Sequence, residues 1–466
     1  MNLAPLFVPY RVAVIGASDE PTKLGFHVMK SLKYGRFEGL IFPVNPNREE
    51  VMGIKCYRGL REIQMPIDLA IVVVPNRSVE GVFKECLSKG VKGIVLISAG
   101  FKESEGGEGA ILQERLRELV LDSVPVIGPN TFGIVSYPHR LNASFTPEFS
   151  LVRPGNVALV SQSGGISHLM GFMALEMDLG LSCVVGLGNR LNVDFHHMVE
   201  YLRGDQNTSI IGLYVEGIES PKLLMEAIAR AQVPVVVMKA GKGEIADKAS
   251  LSHTGSLAGS YEAFKGGMTQ AGALVLEEIE EFMDILKAYQ VLRPPSGPRI
   301  AILSGQAGPG IVAYDTSIQR GLLVEPFKDE TLRRVEEILP PLAIRSNPVD
   351  LGPLWYDEGA TTEVVRRIME DNRIDAIIFL MMFASANREV IPALIRGLKD
   401  LPLHKPIFTC IKAPGAIWQE AVKEAEEGGI LCNFPTPERA TKACYNMLIL
   451  ERLRFRKKGG RFGAHR

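Results

Sequence analysis

The chain reads as an α/β protein of about three domains, each built around a parallel sheet. Three observations predict this class. Apolar, β-branched runs of strand length alternate with helix-length segments through all 466 residues, the signature of parallel α/β layers. Several of those runs end in small-residue, glycine-bearing turns just before a helix. The segment Arg293-Pro-Pro-Ser-Gly-Pro298 gathers three prolines and a glycine, which stop a helix and read as a linker. At roughly 100–200 residues per domain, the length points the same way.

Taken in order, the first set of strands is Arg11–Gly16, Leu40–Val44, Leu69–Pro75, Gly93–Ser98 and Pro125–Gly128. The second is Asn156–Ser161, Ser182–Gly188, Ser209–Glu216, Pro234–Lys239 and Gly272–Leu276, followed by a helix over Glu277–Leu292. After the linker come Arg299–Ser304, Asp375–Met382, Pro406–Lys412 and Gly429–Phe434, closed by a helix from Pro437 to Arg454. The predicted domains are residues 1–140, 150–292 and 298–455, with a basic tail over 456–466. The apolar character of the strands fits sheets covered on both faces by helices.

Composition limits the function. Lys plus Arg (52) and Asp plus Glu (53) nearly cancel, so no global field draws nucleic acid or an anionic membrane. The longest apolar run, Ile377 to Ala386, is about half of the ~20 residues that span a bilayer, and residues 1–18 show no charged leader. A cytoplasmic protein is expected. The six cysteines are scattered with no CxxC pair, which reads as reduced thiols and no metal site. His196 and His197 lie beside Asp194, but a helix start after Asn192 explains them better than a metal pair.

Four places have the composition of ligand turns. The strand Arg11-Val-Ala-Val-Ile-Gly-Ala-Ser18 ends in a turn whose Gly16 and Ser18 let backbone N–H groups approach an anion, and Lys23 adds a point charge. Alone, this turn fits a phosphate site or a plain βα connection. NAD is the wrong ligand for it, since there is no GxGxxG and the second strand ends Val44-Asn45-Pro46 without a carboxylate. Val74-Pro75-Asn76, Ser98-Ala-Gly100-Phe101 and Ile127-Gly-Pro-Asn130 are further strand ends rich in turn residues, and in a doubly wound sheet such ends converge on one crevice.

Two more turns, Val160-Ser161-Gln-Ser163-Gly164-Gly165 and Leu303-Ser-Gly-Gln-Ala-Gly308-Pro-Gly310, each open a helix. Its first N–H groups and about half a positive charge suit an anion. Between them in sequence lies His253, within Ala249-Ser-Leu-Ser-His-Thr-Gly-Ser-Leu-Ala-Gly259, a stretch of small and hydroxyl residues with no helical or strand period. Glu216 ends the strand-like Gly212-Leu-Tyr-Val-Glu-Gly-Ile218. On composition alone, His253 fits a solvated loop histidine and Glu216 a turn-capping carboxylate.

In this order, the turn with its lysine and the four following strand ends resemble the CoA-binding domain of the ADP-forming acyl-CoA synthetases. The whole chain is similar to the α subunit of their acetate–CoA ligase branch, within the succinyl-CoA synthetase superfamily. The resemblance implies a Rossmann-like CoA-binding domain followed by two flavodoxin-like, succinyl-CoA synthetase-like domains. It implies CoA contacts at Gly16, Ser18, Lys23, Asn45, Pro75, Asn76, Gly100, Phe101 and Asn130. Thr131 stands where many relatives have a cysteine, so no thiol is expected there.

The stretch around His253 looks like the family's phosphohistidine loop, Glu216 matches the glutamate that orients that histidine, and Ser161, Ser163, Gly164, Gly165, Gly308 and Gly310 match its phosphate-holding helix N-termini. The implied reaction converts acyl-CoA, ADP and inorganic phosphate to free acid, CoA and ATP. Nothing in the chain looks like an ATP-grasp fold, so ADP or ATP with Mg²⁺ is expected on a separate β subunit, in an α2β2 heterotetramer. The acyl group is not legible. A non-catalytic CoA-binding regulatory protein is the alternative, and an unneeded His253 would be its mark.

Overall fold

The computed structural model describes residues 1–241, 260–399, 401 and 403–457. They fall into two compact units, Met1–Glu277 and Glu278–Arg466, each described by itself below.

The first unit holds two sheets. One is made of β1 (Arg11–Ile15), β2 (Leu40–Val44), β5 (Leu69–Val72), β6 (Gly93–Leu96) and β7 (Val126–Ile127), all parallel, in the order β2-β1-β5-β6-β7. The short hairpin β3 (Glu50–Val51) and β4 (Ile54–Lys55) stands apart. Alternation along the strands feeds two cores: Val12, Val14, Leu69 and Ile71 enter one, Ala13, Ile15, Ala70 and Val72 the other. That is what a sheet covered on both faces requires of period-two side chains.

The second sheet has seven strands: β8 (Gly133–Ser136), β9 (Leu141–Ser144), β10 (Pro154–Ser161), β11 (Leu181–Gly186), β12 (Ile210–Val215), β13 (Val235–Lys239) and β14 (Leu274–Leu276). Its order is β14-β13-β12-β10-β11-β8-β9. The parallel part repeats the plan of the first sheet, while β8 and β9 add an antiparallel edge that the sequence patterning did not predict. Ala158 and Val160 of this sheet belong to the same core as Val12 and Val14 of the first.

The second unit contains β15 (Ile300–Ser304), β16 (Val349–Asp350), β17 (Ala376–Met382), β18 (Ile407–Lys412) and β19 (Cys432–Asn433) in the order β16-β15-β17-β18-β19. The short β16 also lies outside the predicted set. The parallel parts of all three sheets therefore share one winding: the first parallel strand has its successor on one side and the next strand of the sheet on the other. Crossovers leave the first strand in opposite directions, and a crevice opens at its carboxyl end.

The amino ends of two sheets carry the same clasp. Asp68 accepts from the Arg11 backbone N–H (3.0 Å), Nε (3.1 Å) and Nη2 (3.2 Å). Asp375 accepts from the Arg299 backbone N–H (3.0 Å), Nε (2.9 Å) and Nη2 (2.9 Å). Each fork ties the start of a first strand to the residue before or at the start of the strand beside it.

Candidate active site

The first crevice opens after β1. Gly16 sits at φ +96°, and a Cβ there would lie 2.5 Å from the Val73 carbonyl oxygen, so the turn demands glycine. A Cβ on Gly25 would come within 1.9 Å of the Gly16 oxygen, so a second glycine lets the helix Leu24–Tyr34 press onto the turn. Ser18 Oγ accepts from the Glu20 N–H (3.0 Å). Lys23 is exposed, with its Nζ 3.6 Å from Glu20, a carboxylate that also pairs with Arg48 at 2.8 Å.

The two asparagines predicted at this crevice brace its loops. Asn45 Nδ2 donates to the Ala17 carbonyl (2.8 Å) and Asn76 Nδ2 to the Gly100 carbonyl (2.9 Å). Pro75 precedes the helix Asn76–Lys89, and Gly100 adopts φ +97°. Phe101 is fully buried among core side chains. Glu103 accepts from the Gly100 (2.7 Å) and Phe101 (3.2 Å) amides and from Asn189 Nδ2 (2.5 Å). Burial works to raise the Glu103 carboxyl, but the bonds from Asn189 and the two amides outweigh it and hold it below its usual range.

The second crevice lies after β10. Ser161 Oγ donates to the Ser163 carbonyl (2.9 Å) and accepts the Ser163 N–H (3.1 Å). Ser163 then caps the helix Gly164–Glu176 by accepting from the Ile166 N–H (3.4 Å). A Cβ on Gly164 would meet nothing within 4 Å, and one on Gly165 only Ser163 Oγ at 4.0 Å. Neither glycine is required by packing or by a positive φ; both leave open space in front of N–H groups that have no intrahelical acceptor.

Glu216 follows β12 immediately. Gln162 holds its backbone: the side-chain oxygen accepts from the Glu216 N–H (3.2 Å) and the Gly217 N–H (3.1 Å). Sequence reasoning passed over Gln162 although it lies inside the motif, because the signal was carried by the glycines.

A cavity of about 450 Å³ joins the second crevice to the carboxyl ends of β6 and β7; of the predicted CoA contacts, Asn130 is among its described lining residues, and Gly16, Ser18, Lys23, Asn45, Pro75, Asn76, Gly100 and Phe101 are not. Leu24, Ile97, Ala99, Asn130 and Thr131 line it from the first sheet's side. Gln162 to Gly165, Asn189 and Glu216 line it from the second. Asn130, at φ +56°, donates its backbone N–H to the Ser98 carbonyl (2.9 Å). Thr131 Oγ1 bonds the Gly186 carbonyl at 2.5 Å and accepts the Gly133 N–H at 3.0 Å, so it joins the strands.

The remaining wall is aromatic and was not foreseen. It consists of Phe132, Phe145 and His168, drawn from three separate segments. His168 Nδ1 bonds the Gly164 carbonyl (2.8 Å) and Nε2 bonds Thr146 Oγ1 (2.7 Å), which leaves the ring face, not a nitrogen, for the cavity. Asn189 had a legible signal that was missed: Gly188-Asn-Arg190 is another turn-rich strand exit.

The third crevice, in the second unit, follows β15. Ser304 Oγ donates to the Gln306 carbonyl, Gln306 Nε2 donates to the Met382 carbonyl (3.1 Å), and Gln306 Oε1 accepts the Met382 N–H (3.1 Å). The helix Ala307–Arg320 starts there. A Cβ on Gly308 would meet nothing within 4 Å, whereas one on Gly310 would lie 3.2 Å from Ser304 Cβ. His253 lies outside the described residues.

Of the histidine pair, His197 has a structural role. Asp194 and His197 form a reciprocal capping box at the start of the helix Phe195–Leu202, with the Asp194 N–H donating to His197 Nδ1 (3.2 Å). Burial and the neighbouring His196 push His197 down to about 4. Among the described residues no group of three or more His, Cys, Asp or Glu side chains is placed to hold a metal ion.

Comparison with known proteins gives the same layout. Residues 10–136 match the model of a CoA binding domain and residues 154–289 that of a succinyl-CoA ligase like flavodoxin domain. The α subunit of acetate–CoA ligase (ADP-forming) II of Pyrococcus furiosus is 35% identical over 455 residues, covering 95% of this chain and 96% of that one. Acetate–CoA ligase (ADP-forming) I of Archaeoglobus fulgidus is 38% identical over 445 residues, covering 94% of this chain and 62% of that longer protein. A solved structure of the dinucleotide forming acetyl-coenzyme A synthetase 1 of Ca. Korarchaeum cryptofilum, in complex with phosphate and ADP, aligns with a TM-score of 0.88 at 30% identity, covering 97% of each chain.

Proposed function

This chain belongs to the family of ADP-forming acetate–CoA ligases, and from that premise we propose that it is the α subunit of an acyl-CoA synthetase working through a phosphohistidine at His253. The observation that carries the proposal is the shared cavity. It brings the open helix N-terminus at Ser163–Gly165, the strand-end Asn130 and the carboxylate of Glu216 to one place. The relatives are ligases by name, so the reading as a regulatory CoA binder is set aside.

CoA enters at the first crevice, with its phosphates at Gly16–Lys23. An oxygen of inorganic phosphate attacks the thioester carbonyl carbon, the C–S bond breaks, and CoA leaves as a thiolate that takes up a proton. The first N–H groups of the helix Gly164–Glu176 hold the phosphate charge.

A neutral ring nitrogen of His253 then attacks the phosphorus of the acyl phosphate and releases the carboxylate. Glu216 accepts a hydrogen bond from the other ring nitrogen, fixing the tautomer and stabilising the charge that develops. The phosphoramidate finally passes its phosphoryl group to ADP with Mg²⁺ on a partner β subunit.

That partner carries the ATP-grasp fold, in an α2β2 heterotetramer. Support comes from the relatives named as α subunits and from the Archaeoglobus relative, of which the match covers 62%. The three working domains are 1–140, 150–292 and 298–455. A cytoplasmic location rests on six buried, free cysteines. No helix among the described residues is long and apolar enough to cross a membrane.

The test is thioester phosphorolysis by the full chain. Mixed with acetyl-CoA and phosphate, it should release thiol in proportion to phosphate, with the acyl phosphate trapped as a hydroxamate by hydroxylamine. Thiol release that is independent of phosphate would remove the proposal.

A further inference from the structure

One carboxylate ties the cavity to the loop that follows β6. Glu103 is half-buried and stands just after Phe101 and Lys102. One of its oxygens accepts from the Gly100 N–H (2.7 Å) and the Phe101 N–H (3.2 Å), the other from Asn189 Nδ2 (2.5 Å). The same amide nitrogen also donates to Gln113 Oε1 (3.0 Å), an oxygen that receives the Lys102 N–H as well (3.5 Å). Asn189 Oδ1 is thereby turned to Asn130, whose Nδ2 lies 3.5 Å away. Both asparagines line the cavity.

We infer that Glu103 is a positioning residue of this site: through Asn189 it fixes which way the Asn130 amide faces the cavity, while it holds the Gly100–Phe101 amides of the loop predicted to receive CoA. The role rests on the proposed reading of the cavity as the place of thioester phosphorolysis.

Polarity is what passes along these groups. An ionised carboxylate only accepts, whereas an asparagine amide has a donating end and an accepting end. Beside a charged Glu103, Asn189 gives both of its amide hydrogens to Glu103 and Gln113 and shows its oxygen to Asn130. Asn130 must then show its NH₂ to Asn189, which leaves its own oxygen and one N–H for a ligand. The bonds from Asn189 and the loop amides outweigh burial and keep Glu103 in its charged form.

The fold does not depend on this order. Asn189 also donates its backbone N–H to the Pro129 carbonyl (2.9 Å), and Leu191 donates its own to the Gly128 carbonyl (2.9 Å). Those two bonds hold the turns side by side whichever way the amides face. What Glu103 adds is orientation. In Glu103→Gln the side chain has one accepting end. If that end keeps the loop amides, its NH₂ meets Asn189 Nδ2, the Asn189 amide turns over, and Asn130 is reversed in the cavity.

The test is phosphate-dependent thiol release from acetyl-CoA by the full chain, with calorimetry of CoA and a melting curve for each variant. Glu103→Gln should lower kcat by roughly 10²-fold, the cost of misplacing a reacting group by about 1 Å, with CoA affinity little changed. Asn189→Leu, which leaves Glu103 on its loop amides, should lose rate to a similar extent. Asn130→Asp should be slow too, since it sets an acceptor against Asn189 Oδ1. Combined with Glu103→Gln it should be no slower than the slower single variant, because a turned-over Asn189 then meets an acceptor. Asp68→Asn, which loosens the far end of the same sheet, shows how much rate a loss of stability alone removes.

Wild-type kcat in Glu103→Gln or in Asn189→Leu would overturn the positioning role, and so would additive losses in the double variant. A loss confined to CoA affinity, or one no larger than that of an equally destabilised Asp68→Asn, would make Glu103 a brace of its loop and overturn the role as well. All of these leave the proposed function standing. A wild-type chain without phosphate-dependent release would overturn the reading of the cavity and this role with it.

Discussion

The turns after β10 and β15 are built alike and end differently. In each, a serine at the strand end donates its hydroxyl to the carbonyl two residues on: Ser161 to Ser163, and Ser304 to Gln306. In each, a glutamine amide reaches the exit of the adjacent strand, Gln162 to Glu216 and Gly217, Gln306 to Met382. In each, a glycine in the first helical turn, Gly164 or Gly308, faces open space.

The difference is what the neighbouring strand presents. After β12 it is a carboxylate, Glu216; at the end of β17 it is Met382, followed by Phe383-Ala384. One scaffold is thus built twice, and a carboxylate stands beside one of the two; on the proposed function, both offer N–H groups to an anion and acid–base chemistry belongs to the first.

The sharpest way to break this contrast is at Glu216. Glu216→Gln keeps the backbone held by Gln162 and removes the charge, and transfer of phosphate through His253 should slow by roughly 10²–10⁴ with unchanged melting. Met382→Leu, at the matching exit, should leave the rate near wild type. Single-turnover labelling of both variants decides it, and equal rates would make the two exits equivalent.

The next effect concerns the anion. Gly164→Val and Gly308→Val place a side chain where packing has none, so stability should hold while the apparent phosphate affinity falls about ten-fold, the scale of a charge-assisted contact at a helix N-terminus. Gly310→Val should behave in the opposite way. Its Cβ would press on Ser304 Cβ at 3.2 Å, costing about 1–3 kcal/mol of stability. Phosphate titrations beside melting curves separate the two classes.

Smaller again is the effect of the glutamines. Gln162→Met removes the acceptor of two N–H groups, at about 1–3 kcal/mol for a buried donor left unmade, and should also slow transfer, because Glu216 loses its anchor. Gln306→Met should lose stability with little change in rate. Equal rate losses in the two would show that the bridges matter only for folding.

At the amino ends the first and third sheets are alike, and their behaviour in acid should be too. The bonds from Arg11 and Lys92 outweigh the burial of Asp68 and bring it from 3.8 down to about 2. A carboxyl lowered on folding stabilises above its unfolded pKa, so this contribution is complete above about pH 4 and is lost as pH falls towards 2. At 1.36 kcal/mol per unit it amounts to about 2 kcal/mol. Asp375 shifts in the same direction, with Arg299, its backbone N–H and Ser296 overcoming burial. Unfolding curves from pH 5 to 2 should flatten in Asp68→Asn.

Much of this was legible in the sequence, for a physical reason. A parallel strand buried on both faces must be an unbroken apolar run, and a turn that receives a helix N-terminus must be small, so Gly16, Gly164 and their strands announce themselves. The β8–β9 edge and the two-residue β16 did not: β9 (Leu-Asn-Ala-Ser) and β16 (Val-Asp) lack the unbroken apolar run by which the parallel strands were recognised. The aromatic wall was invisible for a different reason. Phe132, Phe145 and His168 each look like ordinary core in their own segments, and only the fold brings them together. Asn45 and Asn76, which the resemblance implies as CoA contacts, also hold loop carbonyls with their amides, a bracing role that no sequence pattern showed.

The most direct measurement is to map phosphate on the full chain after incubation with acyl-CoA and inorganic phosphate, under basic conditions that preserve phosphoramidates. Acid-labile, base-stable phosphate is expected on the peptide containing His253, absent from His253→Ala and much slower to appear in Glu216→Gln. Phosphate on any other residue, or labelling of His253→Ala at the wild-type rate, would contradict it.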